Sequence, residues 1–240
     1  RLLLSRKSPI WEGGSAGSLP TYGSYAMAFK RWALALLLTF VAAVLAGTAP
    51  ARAEPIRIVG LGDSLMAGYG LDAGLSFPER LQAELRERGH DVVIENAGVS
   101  GDTSSGGLAR LDWSVPEGTK LVILELGAND MLRGIAPDIT RRNLDAMLTA
   151  FHARGIAVVL VGMRAAPNLG ADFATRFDPI YPELAARHGV TLYPFFLDGV
   201  AAQRDLLLED GMHPNAKGVD VMVARFLPVI EAALAKIGDS

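Results

Sequence analysis

The sequence contains no cysteine. Disulfide bonds and a lipid-modified N-terminal cysteine are therefore excluded, and the stability of the fold must come from packing of its core. Several ligand motifs are absent too, since there is no P-loop, no H-E-x-x-H metal site and no calcium-binding loop. The segment Gly60-Leu61-Gly62 begins like a dinucleotide fingerprint, but Leu65 stands where its third glycine should be. We therefore expect neither a cofactor nor a metal.

A hydrophobic run of comfortable membrane-spanning length is also missing. The longest apolar stretch, Trp32 to Gly47, falls short of the roughly 20 residues that a bilayer requires. Basic residues precede it and the small-x-small pattern Ala51-Arg52-Ala53 follows, which is typical of a secretory signal peptide. We interpret residues 27–53 as that signal peptide, with a retained membrane anchor as the alternative. Residues 1–26 are expected to lie outside any folded domain.

An excess of positive charge is absent from the remaining chain. From Glu54 onward there are 17 Lys and Arg and 25 Asp and Glu, a net charge of −8. A nucleic-acid or anionic-membrane partner is therefore disfavoured, because binding to phosphates requires basic surfaces. The 187 residues from Glu54 to Ser240 (240 − 53 = 187) suffice for one domain with a full core. We expect residues 54–240 to form a monomeric domain, periplasmic or secreted, with no stable membrane anchor after cleavage.

What is present is a regular alternation of strand-like and helix-like segments. Five apolar runs have the length of strands, and these are Ile56–Leu61, Val92–Glu95, Leu121–Leu126, Ile156–Val161 and Val190–Tyr193. Strands that are apolar throughout and separated by helices are typical of βα units, hence of a parallel sheet covered on both faces. We predict a three-layer α/β/α domain. Its ligands should bind beyond the carboxyl ends of the strands.

The helical segments carry their own signals. Ser76 and Glu79 have the spacing of a capping box. A stripe with helical periodicity is formed by Leu144, Met147, Leu148 and Phe151. In the last segment Pro228 predicts a kink or an interruption. The stretch from Arg164 to Phe177 is predicted to be a long irregular loop, and such loops are often functional.

Segments far apart in the chain carry the groups that acyl transfer needs. Ser64 follows the first predicted strand and can act as a nucleophile if a histidine lies within hydrogen-bond reach. His213 lies in a turn, three residues after Asp210, so that this carboxylate can accept from Nδ1 and leave Nε2 free for Ser64. We predict a catalytic triad of Ser64, His213 and Asp210. The alternative for His213 is an exposed turn residue.

Charge that develops on the attacked carbonyl oxygen needs fixed donors. We nominate the backbone N–H groups of Ser64 and Gly98 and the side-chain amide of Asn129 as the oxyanion hole. In isolation, Gly98 would be an ordinary turn glycine and Asn129 a helix cap. Three neighbouring acids are assigned structural roles as caps or loop acceptors, and these are Asp63, Asp102 and Asp130.

These segments resemble the sequence blocks of the SGNH or GDSL hydrolases, a family named for the residues found here as Ser64, Gly98, Asn129 and His213. The blocks occur in order as Gly62–Leu65, Asn96–Thr103, Gly127–Asp130 and Asp210–Asn215. They are most similar to the bacterial exported branch, whose members have thioesterase, arylesterase and lysophospholipase activities. The resemblance implies a flavodoxin-like five-stranded sheet and a metal-free mechanism through an acyl-serine.

Apolar residues flank the same segments and indicate a pocket for an acyl chain. They are Leu65, Met66, Met131, Leu132, Ile135, Leu169, Phe173, Phe177 and Met212. Each could equally be a core residue. We predict a serine esterase or thioesterase acting on small acyl substrates such as aryl esters, acyl-CoA and lysophospholipids. A carbohydrate O-acetyl esterase and a non-catalytic acyl-binding protein are the alternatives.

Overall fold

The computed structural model describes Met27, residues 29–37, Thr39 and residues 54–238. The described residues between Met27 and Thr39 are helical and exposed. The predicted upstream segment 1–26, and most of the predicted signal peptide, lie outside the described residues. No helix in the described part of the chain has the length and apolar character needed to cross a membrane.

The chain divides into two compact units, Arg1–Ala53 and Glu54–Ser240. The second unit contains a five-stranded sheet in the order β2-β1-β3-β4-β5, with every neighbouring pair parallel. The strands are β1 (Ile56–Gly62), β2 (Val92–Gly98), β3 (Leu121–Glu125), β4 (Ala157–Val161) and β5 (Thr191–Tyr193). This order confirms the predicted flavodoxin-like α/β fold.

Helices connect the strands and cover both faces of the sheet. After β1 come α1 (Ser64–Ala67) and α2 (Phe77–Glu87), and after β2 come α3 (Ser104–Ala109) and α4 (Leu111–Ser114). After β3 come α5 (Ala128–Leu132) and α6 (Pro137–Ala153), and after β4 come α7 (Ala171–Phe177) and α8 (Ile180–His188). The helix α9 (Ala216–Gly238) ends the described chain.

The core lies between the sheet and these helices. Every residue of β3 is buried, as the continuous apolar pattern predicts for a strand covered on both faces. The predicted stripe of α6 is buried as well. Ser76 and Glu79 form the predicted contact at the start of α2, where the Ser76 backbone N–H donates to Glu79 Oε2 at 3.1 Å. Each fully buried Leu, Ile or Phe stabilises the fold by about 1.5–3 kcal/mol.

One sequence-based expectation for the connections is wrong, and of the kink or interruption predicted at Pro228 the interruption does not occur. The predicted irregular loop between Arg164 and Phe177 contains a short 3₁₀ turn and the helix α7. The helix α9 continues through Pro228 instead of breaking there. Pro228 and Ala224, whose carbonyl loses its helical donor, are both exposed, so water can satisfy that oxygen.

Candidate active site

Ser64 is the first residue of α1, and only Asp63 separates it from the largely buried strand β1. Asp63 caps this short helix, because its Oδ1 accepts from the Leu65 N–H at 3.0 Å. At the other end Gly68, with a φ of 83°, donates its N–H to the Ser64 carbonyl oxygen at 3.1 Å. The nucleophile predicted from the sequence is thus held on a tight strand-to-helix turn at the carboxyl edge of the sheet.

His213 lies within hydrogen-bond reach of both predicted partners. Its Nε2 is 2.9 Å from Ser64 Oγ, and its Nδ1 is 2.6 Å from Asp210 Oδ2. In the tautomer with its proton on Nδ1, the imidazole donates a hydrogen bond to Asp210, and Nε2 presents a lone pair to the serine hydroxyl. The structure therefore brings together the three residues of the predicted triad, although Ser64 and His213 are far apart in sequence.

Asp210 is prepared to remain a carboxylate. Its Oδ1 accepts from the backbone N–H groups of His213 at 3.0 Å and Met212 at 2.9 Å. These two hydrogen bonds, together with the one from the His213 side chain, lower the pKa of Asp210 from its ordinary value to about 2. An ionised acceptor at Nδ1 fixes the tautomer of His213 and stabilises the imidazolium that forms when Nε2 takes a proton.

Neighbouring residues also hold the His213 ring and backbone. The Tyr69 ring packs against the imidazole with a centroid distance of 4.5 Å and an interplanar angle of 39°. The Leu208 N–H donates to the His213 carbonyl oxygen at 2.7 Å, which ties down the loop before α9. Tyr69 was not among the predicted site residues, although it lies only five residues after Ser64, in the loop beyond the same strand.

Asn129, the predicted side-chain donor of the oxyanion hole, lies in α5 and lines the same cavity as Ser64. Its Nδ2 donates one hydrogen to Asp63 Oδ2 at 3.0 Å. An amide nitrogen carries two hydrogens, so the second remains for a substrate oxygen. The preceding Gly127 has a φ of 120°, and a Cβ built there would lie 2.3 Å from the Tyr181 hydroxyl. Glycine is therefore required at the turn that aims Asn129.

Gly98, the second predicted backbone donor of the oxyanion hole, lies at the end of β2. Its backbone N–H donates to the Asn96 side-chain oxygen at 2.9 Å. A substrate oxygen would have to share or replace this hydrogen bond. Glycine is required here for space, because an added Cβ would lie 2.2 Å from the Ala67 backbone nitrogen. The residue thus allows β2 to approach the helix that carries Ser64.

A pair of buried carboxyl groups lies beneath the site. Asp63 and Glu125 are both fully buried, and Asp63 donates its backbone N–H to Glu125 Oε2 at 3.1 Å. Burial is the main cause that raises the pKa of Asp63 to about 6 and the pKa of Glu125 well above its ordinary value. A structural role was predicted for Asp63, and Glu125 was not among the predicted site residues. The available signal was one acid within an apolar strand.

Arg110 forms hydrogen bonds that link the carboxyl ends of β1 and β2 next to the site. Its guanidinium donates to Asp102 Oδ2 at 2.7 Å and to the carbonyl oxygens of Gly62 at 2.9 Å and Ala97 at 2.8 Å. Asp102 thus has a structural partner. The third acid, Asp130, likewise accepts from side chains, those of Ser104 and Thr140.

The site opens into a cavity of about 350 Å³. Four of the predicted acyl-binding residues line it, and these are Leu65, Met131, Leu132 and Met212. The remaining wall comes mainly from residues beyond β4 and β5 that the sequence analysis missed, and these are Met163, Arg164, Phe195, Leu197, Ala201, Ala202 and Leu207. The volume is at the lower end of the range for small-molecule sites.

The other predicted pocket residues lie elsewhere. Leu169 and Phe173 pack against the hydrophobic core instead of the cavity. Ile135 is half-buried and does not line the cavity wall. Met66 and Phe177 are fully buried core residues. Proximity in sequence to the site segments therefore did not determine the direction of these side chains.

Comparison with known proteins places this geometry in context. A family model described as the GDSL-like Lipase/Acylhydrolase family matches residues 61–221. That range contains every member of the site described above. Over 201 residues the chain is 37% identical to a protein named Esterase TesA from Pseudomonas aeruginosa, and the match covers 83% of this chain and 99% of that protein.

Two further similarities point the same way. The chain is 36% identical over 179 residues to a protein of Escherichia coli named Thioesterase 1/protease 1/lysophospholipase L1, covering 74% of this chain and 84% of that protein. A crystal structure of AlinE4, described as an SGNH-hydrolase family esterase, superimposes with a TM-score of 0.65 at 45% identity. That match covers 77% of this chain and 99% of the other.

Proposed function

Because the chain belongs to the GDSL-like lipase/acylhydrolase family and is a carboxylic ester hydrolase, we propose that it cleaves esters and thioesters of acyl substrates through an acyl-serine at Ser64. The observation that supports this most is the continuous hydrogen-bonded path from Ser64 Oγ through the His213 imidazole to Asp210, at 2.9 and 2.6 Å. It lies in the wall of a largely apolar cavity.

In the proposed first half-reaction, Ser64 Oγ attacks the carbonyl carbon while His213 Nε2 takes the hydroxyl proton. The carbonyl oxygen becomes an oxyanion and accepts from the Ser64 N–H and from the second hydrogen of Asn129 Nδ2. When the bond to the leaving group breaks, the imidazolium returns the proton to the departing alcohol or thiol. Ser64 is left as an ester of the acyl group.

In the second half-reaction, a water molecule takes the place of the leaving group. His213 accepts a proton from this water as its oxygen attacks the acyl-serine carbonyl, and the same donors hold the new oxyanion. Collapse of the intermediate breaks the bond to Ser64 Oγ, which regains the proton from the imidazolium. The products are the carboxylic acid and the free enzyme.

A substrate panel tests the preference for acyl chains. We expect p-nitrophenyl esters from acetyl to palmitoyl to be hydrolysed with the highest kcat/KM beyond acetyl, because the apolar side chains Met131, Leu132 and Met212 can bury a longer chain. Turnover confined to acetyl esters, together with release of acetate from acetylated xylan, would instead identify a carbohydrate O-acetyl esterase.

A comparison with Ser64→Ala separates catalysis from simple binding. The parent protein should hydrolyse the panel and Ser64→Ala should not, while both bind a non-hydrolysable acyl ligand. If the parent protein hydrolysed no ester or thioester but bound acyl ligands, it would be an acyl-binding protein.

The positive charge of Arg164 supports the proposal that the enzyme accepts substrates with an anionic leaving group, such as acyl-CoA and lysophospholipids. Arg164 lines the cavity, and its guanidinium carbon lies 5.0 Å from the centroid of the Phe195 ring. No acidic side chain in the described part of the chain forms an ion pair with it. It is thus available to a phosphate at the mouth of the site.

Arg164→Ala should raise KM for acyl-CoA by about two- to fivefold, the magnitude of an exposed charge pair, and leave KM for p-nitrophenyl esters unchanged. Arg176→Ala is a matched control, because Arg176 is also exposed but pairs with Asp138 and does not line the cavity. An equal change in KM for charged and neutral substrates would remove Arg164 from substrate recognition.

We also propose that residues 27–53 direct export and that a monomeric domain beginning at Glu54 works in the periplasm or outside the cell. N-terminal sequencing of the protein recovered from a bacterial periplasmic fraction should begin at Glu54, and light scattering should give the mass of a single chain. An uncleaved protein in the membrane fraction would favour a retained anchor, and a larger mass an oligomer.

A further inference from the structure

The buried acid Glu125 has no part in the mechanism above. It is the last residue of β3, it is fully buried, and its Oε2 accepts the backbone N–H of Asp63 at 3.1 Å. Its Oε1 is also buried and receives no hydrogen bond from any donor among the described residues. Because a buried carboxylate oxygen without a donor is strongly disfavoured, this environment suits a neutral carboxyl group.

The second member of the pair, Asp63, has the opposite requirements. It accepts from the Leu65 N–H at Oδ1 and from Asn129 Nδ2 at Oδ2, both at 3.0 Å. Neither acid forms an ion pair with a Lys or Arg of residues 54–238. Two adjacent buried carboxyl groups without a cation cannot both be ionised. One of them therefore holds a proton at neutral pH.

The protonation states can be assigned from their surroundings. Burial, followed by the charge of Asp63, raises the pKa of Glu125 well above its ordinary value, whereas the pKa of Asp63 rises only to about 6. A hydrogen bond between the two side chains lowers the pKa of Asp63 and raises that of Glu125. These surroundings favour the proton on Glu125 and the charge on Asp63, whose two carboxylate oxygens both accept hydrogen bonds.

The consequence reaches the oxyanion hole through Asn129. Since a carboxamide is planar, fixing one Nδ2 hydrogen on Asp63 also fixes the direction of the other. Asn129 and Ser64 line the same cavity, so this second hydrogen is available where the substrate oxygen would develop charge.

We propose that Glu125 is a positioning residue: as a neutral acid it donates a hydrogen bond to the Asp63 carboxylate, which in turn holds the Asn129 amide toward the oxyanion. This inference rests on the proposed function of Asn129. It explains the presence of an acid at the end of an apolar strand, because a neutral carboxyl group can donate to Asp63 and accept from its backbone N–H at the same time. A leucine can do neither.

Kinetics of three variants test the proposal. Glu125→Gln preserves both hydrogen-bonding functions without a titratable proton, so we expect a kcat within about threefold of the parent. Glu125→Leu should lower kcat by about 10- to 100-fold with a small change in KM, because a misoriented donor loses part of the oxyanion stabilisation. Adding Glu125→Leu to Asn129→Ala should lower kcat little further, since the two changes remove the same interaction.

Several outcomes would overturn the proposal. If the fold losses in kcat of the two single variants multiply in the double variant, Glu125 acts independently of Asn129. Loss of kcat in Glu125→Gln equal to that in Glu125→Leu would show that a neutral donor is not what the site needs. Val159→Ala, in the buried strand β4, controls for general destabilisation and should not change kcat per folded molecule.

A spectroscopic measurement covers the case in which Glu125→Leu does not fold. Infrared spectra at neutral pH should contain a carboxylic-acid C=O band that is absent in Glu125→Gln. An identical band in both proteins would contradict a neutral Glu125. Ser64→Ala distinguishes a failure of the proposed function from a failure of the proposed role of Glu125. If Ser64→Ala retains hydrolysis, the proposed mechanism fails. If Ser64→Ala is inactive and the effects in the double variant of Glu125 and Asn129 are additive, only the role of Glu125 is rejected.

Discussion

At the scale of single residues, Asn129 has the most direct proposed link to catalysis. Its amide nitrogen makes one hydrogen bond to the described residues and has its second hydrogen left for the substrate. Asn129→Ala should lower kcat by about 10²- to 10³-fold, the loss usual for one oxyanion donor. It should also lower the stability by about 1–3 kcal/mol, because the buried Asp63 Oδ2 loses its donor. Steady-state kinetics and a thermal melt measure the two effects. An unchanged kcat would remove Asn129 from the oxyanion hole.

Tyr69 offers a second prediction at this scale. Its ring lies against the His213 imidazole, and such aromatic contacts contribute about 0.5–1.5 kcal/mol. Tyr69→Ala should therefore lower kcat/KM by about 2- to 12-fold. Tyr69→Phe, which keeps the ring and loses only the hydroxyl, is the matched control and should retain the activity. Equal losses in both variants would assign the effect to the hydroxyl instead.

The protonated state of Glu125 has a consequence for stability. A carboxyl group whose pKa is raised by folding binds more protons in the folded than in the unfolded protein, so the free energy of unfolding falls as the pH rises above the unfolded pKa. Glutamine does not titrate. Glu125→Gln should therefore gain stability relative to the parent as the pH is raised from about 4.5 toward neutrality.

Denaturant unfolding at a series of pH values measures this difference. Besides the pair itself, His213 acts electrostatically on Asp63, and both carboxyl groups raise the pKa of the buried Tyr181. The pKa of Asp63 is raised as well, so the free energy of unfolding falls with rising pH through Asp63 in both the parent and Glu125→Gln. A parent protein that gained stability relative to Glu125→Gln over this range would mean that Glu125 is ionised in the fold.

At the scale of elements, the carboxyl ends of β1 and β2 depend on Arg110 in the link between α3 and α4. The guanidinium is nearly buried and joins two strand carbonyl oxygens to Asp102. Arg110→Met should lower the free energy of unfolding by about 3–5 kcal/mol, because it leaves a largely buried carboxylate without its partner. Chemical denaturation checks the value.

A companion variant identifies which part of the Arg110 interaction matters. Arg110→Met combined with Asp102→Asn removes both charges, so it should recover part of the lost stability. If the double variant is no more stable than the single one, the hydrogen bonds to the strand carbonyl oxygens dominate over the ion pair.

The strands were predictable because a buried parallel strand is apolar on both faces, and β3 and β4 are examples. Helix boundaries were less predictable where local signals conflict. Pro167 and Gly170 suggest a loop, yet the helix α7 forms after them and ends at Phe177, which is fully buried. In α9 the packed apolar face outweighs the hydrogen bond that Pro228 removes.

At the scale of the whole molecule, the sheet topology explains why the triad could be predicted and the pocket could not. Parallel strands end at one edge, so Ser64 after β1 meets the segment beyond β5 that carries Asp210 and His213, although the two are far apart in the sequence. The cavity wall depends instead on the direction of side chains in later loops, such as Met163 and Phe195. That direction is determined by packing that no local pattern records.

The central claim is that Ser64 is activated within this one cavity, and covalent labelling tests it most directly. A fluorophosphonate should form one adduct per molecule, on Ser64, with parallel loss of ester hydrolysis, and His213→Ala should react far more slowly because Nε2 no longer takes the proton. Peptide mass spectrometry identifies the modified residue. An active enzyme that gave no adduct, or one on another residue, would contradict the account.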